Sequence, residues 1–403
     1  MTGKRKVALL AGSRTPIGTF GRSLRKVRVD KLAEHAMKHA MRRAGIQPGQ
    51  VDGVVLGHAF QSSLTPNTAR HTWVKAGWPH HVPAFTVQIQ CGSGMLAVNE
   101  AMDKIMLGKG NLWVAGGAES MSTIPYLVNG ELRFDGKFAS KFKFGPRPHI
   151  GLIEDGLVPR ELLWDTDSTF MSATAQRVAD TYGITRKMQD EYALRSQVLA
   201  AKAQASGRFD LEIDPIQHSK GFLAKDEHPR KTSAEKLAAL PPVLKQRDIT
   251  AGNSSGINDG ACALVLASEE YVEKTGAKPL AYLIDHAVAG VDPGQMGIGP
   301  VAAIQKLLDQ NGLTIADIDL FEINEAFAAQ YLGCEKLLKL DRDKVNVNGG
   351  AIALGHPIAM SGSRVILTLA HELKLRGKKR GIAALCIGGG QGIATLIENP
   401  DVA

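Results

Sequence analysis

Two rhythms alternate along this chain: short runs with strand spacing, and stretches whose apolar residues recur every three or four positions, the spacing of one helix face. Phe85–Gln90 alternates as a strand, and Cys91-Gly92-Ser93-Gly94 turns the chain. Met95, Val98, Met102 and Ile105 mark one face of a helix that Gly108 stops, and Leu112–Ala115 forms a strand ending in Gly116-Gly117. The same order returns near the C-terminus. Val345–Asn348 reads as strand and Gly349-Gly350 as turn, a helix with Ile366, Leu369 and Leu373 facing inward stops near Gly377, and Ile382–Leu385 runs into Cys386-Ile387-Gly388-Gly389.

This is an internal repeat of strand, helix and strand. A fainter echo pairs VDGVVLGHAF (51–60) with DIDLFEINEAF (317–327). Two related α/β halves with mostly parallel sheets are predicted. From Val87 to Gly116 is 29 residues and from Val345 to Gly388 is 43, so the second copy carries 14 more, with Gly355-His356-Pro357 in the longer stretch. Residues 121–253 break the rhythm with an aromatic and basic loop (Tyr126–Phe170), a helix pattern from Ala173 to Ser206 and Pro-containing segments. The predicted organisation is an N-terminal half, 1–120, completed by about 254–275; an inserted loop domain, 121–253; and a C-terminal half, 276–403.

Composition narrows the class. With 403 residues, 44% hydrophobic and 22% charged, the chain exceeds one core and is neither disordered nor a disulfide scaffold. The uncharged stretches Asn346–Ser363 and Gly381–Ile397 are interrupted by Gly, Asn, Gln, His or Pro, so neither is expected to span a bilayer. Val7–Leu10 begins too early to leave room for a signal peptide, and a cytoplasmic protein is expected. The net charge is +8, yet the first 43 residues hold 12 Lys and Arg against Asp30 and Glu34. That excess is read as a solvated surface, a field for a phosphorylated small ligand, or contact with an anionic membrane or nucleic acid; no nucleic-acid-reading motif accompanies it. The KFASKFKF segment (137–144) has two readings, a covered loop edge or a membrane or partner contact.

Four widely scattered cysteines, Cys91, Cys262, Cys334 and Cys386, lack zinc-ligand spacing, and no metal site is predicted. Cys91 sits where a strand gives way to a helix, a place whose free N–H groups and dipole are expected to lower a thiol pKa and make a nucleophile; the alternative is a buried small hydrophobe. The same turn loosely matches a dinucleotide fingerprint, for which Glu119 is the nearest acidic residue. His356, held extended by Pro357, is either a loop base or a structural histidine. Cys386 precedes three glycines, Gly388 to Gly390, whose N–H groups can form an anion nest. Asn324 offers an amide able to hold a water, or an Asx-type turn. Cys262 and Cys334 lie in apolar runs and read as core. Two thiols and one imidazole at strand ends suit acyl transfer.

In this order the segments SRTPIGTFGRSL (13–24), CGSGMLAVNEA (91–101), GGAESMSTIPY (116–126), QDEYALRSQ (189–197), DEHPR (226–230), TAGNSSGINDGA (250–261), GIGP (297–300), NEAFAAQ (324–330), NGGAIALGHPIAMSGSR (348–364) and CIGGGQG (386–392) resemble the thiolase family over nearly the whole chain. The resemblance implies two similar βαβαβαββ halves in a five-layer α-β-α-β-α arrangement with a loop domain, dimers or tetramers, and action on coenzyme A thioesters in fatty acid metabolism. It implies no cofactor beyond coenzyme A as substrate or product. By that likeness Cys91 is the acylated nucleophile, His356 activates it and Cys386 is the acid/base at the α-carbon. Asn324 would hold a water that forms one oxyanion hole with His356, and the N–H groups of Cys91 and Gly388 would form the other. Ser255 matches a pantetheine contact; Phe170, Met171, Ala326, Phe327 and Met360 fall where the acyl group and coenzyme A would lie.

Two departures concern the acyl pocket. Phe170-Met171-Ser172 stands where short-chain members carry His-Met-Gly, and Ala359-Met360 where a Gly-Ala pair is usual. The loop resembles the β subunit of membrane-associated fatty-acid oxidation complexes, whereas NEAF is of the soluble short-chain type. The expected activity is cleavage of 3-ketoacyl-CoA by coenzyme A, or the reverse condensation. A non-catalytic acyl-CoA-binding or partner subunit is the alternative, against which the intact Cys91, His356, Cys386 and Asn324 set argues.

Overall fold

A computed structural model describes residues 6–128, 153–155 and 170–402. Its principal sheet has ten strands. Nine carry the architecture: β1 (Val7–Arg14), β2 (Gly53–Gly57), β3 (Ala84–Val87), β4 (Leu112–Ser120), β5 (Asn258–Ser268), β6 (Ala281–Gly290), β7 (Leu320–Ile323), β8 (Arg380–Ile387) and β9 (Gln391–Glu398). They run in the order β7-β8-β9-β6-β1-β5-β4-β2-β3, and Gly18–Thr19 pairs beside β5. The helices that position the site are α1 (Val29–Ala44), α2 (Thr68–Lys75), α3 (Ser93–Met106), α4 (Met171–Tyr182), α5 (Arg186–Ala205), α6 (Gly299–Asn311), α7 (Ala328–Leu338), α8 (Ala351–Leu354) and α9 (Ile358–Leu375).

Alternation along the strands assigns each side chain to a layer. In β1, Val7 and Leu9 enter a central core while Ala8 and Leu10 enter an outer one. In β8, Ala383, Leu385 and Ile387 face the central core, and Ile382 and Ala384 a second outer one. Strands apolar on both faces need a helical layer on each side. The central layer is α3 and α9, whose buried Met95, Val98, Met102 and Ile105 meet Ile366, Leu369 and Leu373. The outer layers are α1 with α2 on one side and α4, α6 and α7 on the other. Five layers result.

The repeat is visible in the pairing. β2 lies parallel to β3 and β4, and β5 returns antiparallel to β4 and β1. In the second half β7 lies parallel to β8, and β9 returns antiparallel to β8 and β6. The expectation of mostly parallel sheets is corrected here: only the outer strands are parallel. Gln391 pairs with Ile387 across a tight turn, and a turn that short joins only antiparallel strands. The Val345–Asn348 strand is reduced to a parallel bridge between Val345 and Phe321. The single helix pattern from Ala173 to Ser206 breaks at Gly183, which adopts φ +64°, and restarts where the Thr185 side chain caps α5.

Part of the basic excess near the N-terminus is paired with carboxylates of the same chain. Arg14, wholly buried, donates to both carboxylate oxygens of Asp226 at 2.7 and 2.9 Å and to Glu212 at 3.2 Å. Arg42 and Arg43 donate to Asp214 at 2.6 and 2.8 Å. Among the described residues no helix is long and apolar enough to cross a membrane. KFASKFKF lies outside the described residues, as does nearly all of the 126–170 loop.

Candidate active site

Cys91 occupies the short turn Gln90–Gly92 between β3 and α3, with Gln90 at φ +48°. The Ser93 hydroxyl donates to the Gln90 carbonyl at 2.6 Å and accepts the Ile89 N–H at 2.9 Å, which closes the turn. The second half then packs onto it. A Cβ on Gly94 or on Gly117 would stand 2.2 or 1.8 Å from the Ala359 carbonyl oxygen, so only glycine admits the first turn of α9 so close to the start of α3. A Cβ on Gly92 would meet Ile387 at 2.6 Å, which places the end of β8 beside Cys91.

That approach sets the Gly388 amide beside the Cys91 sulfur, where together with the Cys91 amide it favours the thiolate. Although the residue keeps partial exposure, the protein around it desolvates the thiolate, and burial pushes the thiol up to about 11 against the pull of those amides. This corrects the expectation that the turn lowers the pKa: the amides are present, but burial outweighs them. Cys91 is therefore a thiol at neutral pH and must give up its proton to react.

His356 follows the single helical turn α8 and Gly355, which sits at φ +102° and where a Cβ would strike Asn258 at 2.6 Å. Asn258 Oδ1 accepts the His356 N–H at 2.9 Å. The ring lies 2.6 Å from Ser361 Oγ through Nδ1 and 3.5 Å from Asn324 Nδ2 through Nε2. Burial, reinforced by Arg364, drives the imidazole down to about 3, so it is neutral across the physiological range. Asn324 follows β7 and is pinned by donating its N–H to the Ala384 carbonyl at 2.9 Å. Its Oδ1 is buried without a hydrogen-bond partner, and its amide makes no Asx-type turn.

Cys386 ends β8, buried. Burial first, then neighbouring Cys91 and Cys334, hold its thiol well above the usual range. With Met296 and Ala326 it forms a small apolar cluster against which Met171 and Phe327 pack. Ser255 donates its N–H to the Ala326 carbonyl at 2.9 Å and so borders the cluster. Cys262 and Cys334 are buried in the cores, as expected.

Two of the expected pocket residues are not brought to this cluster. Met360 is fully buried in the central core with its sulfur over Gly260, because α9 turns it toward β5. Phe170 remains exposed at the start of α4. Sequence reasoning missed Met296, although it immediately precedes the GIGP motif at 297–300. Glu119, the nearest acidic residue to the loose dinucleotide match, serves the fold instead. That carboxylate, fully buried, accepts the N–H groups of Ala59, Phe60 and Ala359 at 3.1 to 3.3 Å and faces His58 Nε2 at 3.2 Å. It clamps α9 to the first half and is spent on the protein's own amides, so the dinucleotide reading fails.

Residues 7–270 match the family described as Thiolase, N-terminal domain, and residues 277–399 match Thiolase, C-terminal domain. The chain is 46% identical to an acetyl-CoA acetyltransferase of Escherichia coli K12, over 98% of this chain and 99% of that one. It is 42% identical to a mitochondrial 3-ketoacyl-CoA thiolase of Bos taurus, over 98% of both. The crystal structure of human mitochondrial 3-ketoacyl-CoA thiolase in complex with CoA superposes with a TM-score of 0.90 at 41% identity, covering 98% of each chain.

Proposed function

The chain belongs to the thiolase family, and from that premise we propose that it is an acetyl-CoA C-acyltransferase, cleaving 3-ketoacyl-CoA with coenzyme A or running the reverse Claisen condensation through an acyl-Cys91 intermediate. One observation carries the assignment of roles: the Gly388 amide stands beside the Cys91 thiol, and Ala359, three residues after the neutral, buried imidazole of His356, packs against Gly94 at the start of the helix that follows Cys91.

In the cleavage direction the Cys91 sulfur attacks the 3-keto carbon while its proton passes to His356 Nε2. The oxyanion that forms meets the N–H groups of Cys91 and Gly388; one donor of this kind is typically worth ~2.7–4 kcal/mol. The C2–C3 bond then breaks, and its electron pair becomes the enolate of acetyl-CoA beside Asn324 and His356. Cys386 delivers its proton to C2. Coenzyme A next attacks acyl-Cys91, its thiol proton returning to Cys386, and His356 reprotonates Cys91 as the shortened acyl-CoA departs. Ser255 borders the pantetheine arm, and Met171, Ala326 and Phe327 line the acyl end. The reaction calls on no cofactor or metal. A homodimer or homotetramer working in the cytoplasm accompanies this reading on the family likeness.

Purified protein assayed with acetoacetyl-CoA and longer 3-ketoacyl-CoA thioesters, by loss of the Mg-enolate absorbance, should show thiolysis. Cys91→Ala and Cys91→Ser should abolish it. A Cys91→Ala enzyme with full turnover refutes the nucleophile.

A further inference from the structure

We infer that Ser361 is the positioning residue that sets the tautomer of His356, placing the ring proton on Nδ1 and leaving Nε2 bare; its catalytic meaning rests on the reading of His356 as the proton acceptor. The hydroxyl has two neighbours. Ser361 Oγ lies 2.8 Å from the Pro357 carbonyl oxygen, one turn back along α9, and 2.6 Å from His356 Nδ1. A carbonyl oxygen only accepts, so the single hydroxyl proton points at Pro357. What faces Nδ1 is then an Oγ lone pair, and a 2.6 Å contact with a lone pair is a hydrogen bond only if Nδ1 carries the proton. A neutral imidazole has one N–H, so Nε2 has none.

The other side of the ring accords with the same form. Nε2 faces the Asn324 amide nitrogen at 3.5 Å, and that nitrogen is a donor. A protonated Nε2 would set donor against donor, whereas a bare Nε2 offers it a lone pair. The backbone is equally fixed, with the His356 N–H on Asn258 Oδ1 and Asn258 Nδ2 in turn donating to the Gly18 carbonyl at 3.0 Å. Ser361 and His356 are both buried, so the choice is made inside the protein. When Nε2 takes the Cys91 proton, Nδ1–H stays on Ser361, and the ring accepts charge without turning.

The test reads the tautomer directly. In full-length protein carrying 15N-labelled histidine, the His356 signals are identified among the 12 histidines by their loss in His356→Asn. At pH 7 the wild-type spectrum should show a protonated Nδ1 and a bare Nε2. Ser361→Ala should bring in a protonated Nε2 and lower kcat for thiolysis on the order of 10²-fold with KM little changed. Ser361→Thr, which keeps the hydroxyl, should restore both. A wild-type ring protonated on Nε2 overturns the inference without any variant, and so does a Ser361→Ala enzyme that keeps tautomer and kcat. Activity in His356→Asn would instead refute the base assignment and leave the tautomer to be decided by the spectrum.

Discussion

The Gly388 amide stands beside the Cys91 sulfur and favours its thiolate, so the proposed nucleophile at the start of one repeat depends on an amide from the last strand pair of the other. Neither half can make the site alone. The approach depends on glycines, on α9 seated by Glu119, and on a histidine that burial keeps neutral.

Burial of His356 fixes the acid side of stability. Folded, the ring titrates at about 3; unfolded, near 6.5. Between those values the unfolded chain binds more protons, so the contribution is whole above pH 6.5 and is lost as pH falls toward 3. At pH 4 this amounts to roughly 3 kcal/mol from one residue. Urea unfolding of wild type and His356→Asn at pH 7 and pH 4 should show the difference between them moving by about that much in the variant's favour. A difference independent of pH contradicts a neutral buried ring.

The close approach at Ala359 predicts a contrast between two glycines. Gly117→Ala sets a Cβ against a carbonyl oxygen 1.8 Å away, whereas a Cβ at Gly290 meets nothing within 4 Å. Gly117→Ala should abolish thiolysis and lower the melting temperature, and Gly290→Ala should leave both near wild type. Equal behaviour of the two argues against α9 resting on β4.

Arg14 predicts where the chain is least tolerant away from the site. Removing one carboxylate from a buried, paired guanidinium costs roughly 3–5 kcal/mol, so Asp226→Ala should lower the urea midpoint accordingly. A loss below about 1 kcal/mol, the ordinary range of an exposed ion pair, would show that the pair is solvated.

Much of this was legible from local pattern. The helix face of Met95, Val98, Met102 and Ile105 and the turn holding Cys91 are set by neighbours in sequence, and the extra segment of the second repeat holds the short helix that leads into His356. What escaped depends on distant packing. The reversed directions of β5 and β9 are decided by how the chain returns, not by strand residues. Met360 adjoins the His356 motif yet turns into the core, while Met296 reaches Cys386 from a turn far away in sequence. The Cys91 pKa went the wrong way because helix-start amides are a local signal and desolvation is not.

Met296 therefore predicts selectivity. Met296→Ala clears space beside Cys386 and should raise kcat/KM for longer 3-ketoacyl-CoA relative to acetoacetyl-CoA by roughly 10-fold, the scale of one or two methylenes in an apolar pocket. An unchanged ratio places the acyl chain elsewhere.

The central claim is that the acyl group travels on Cys91. Brief incubation of the full-length protein with acetyl-CoA, acid quenching, digestion and mass spectrometry should find one acetyl group on the peptide containing Cys91, and none on that peptide in Cys91→Ala. Acetyl on Cys386 instead, or turnover with no acylated peptide at all, contradicts it.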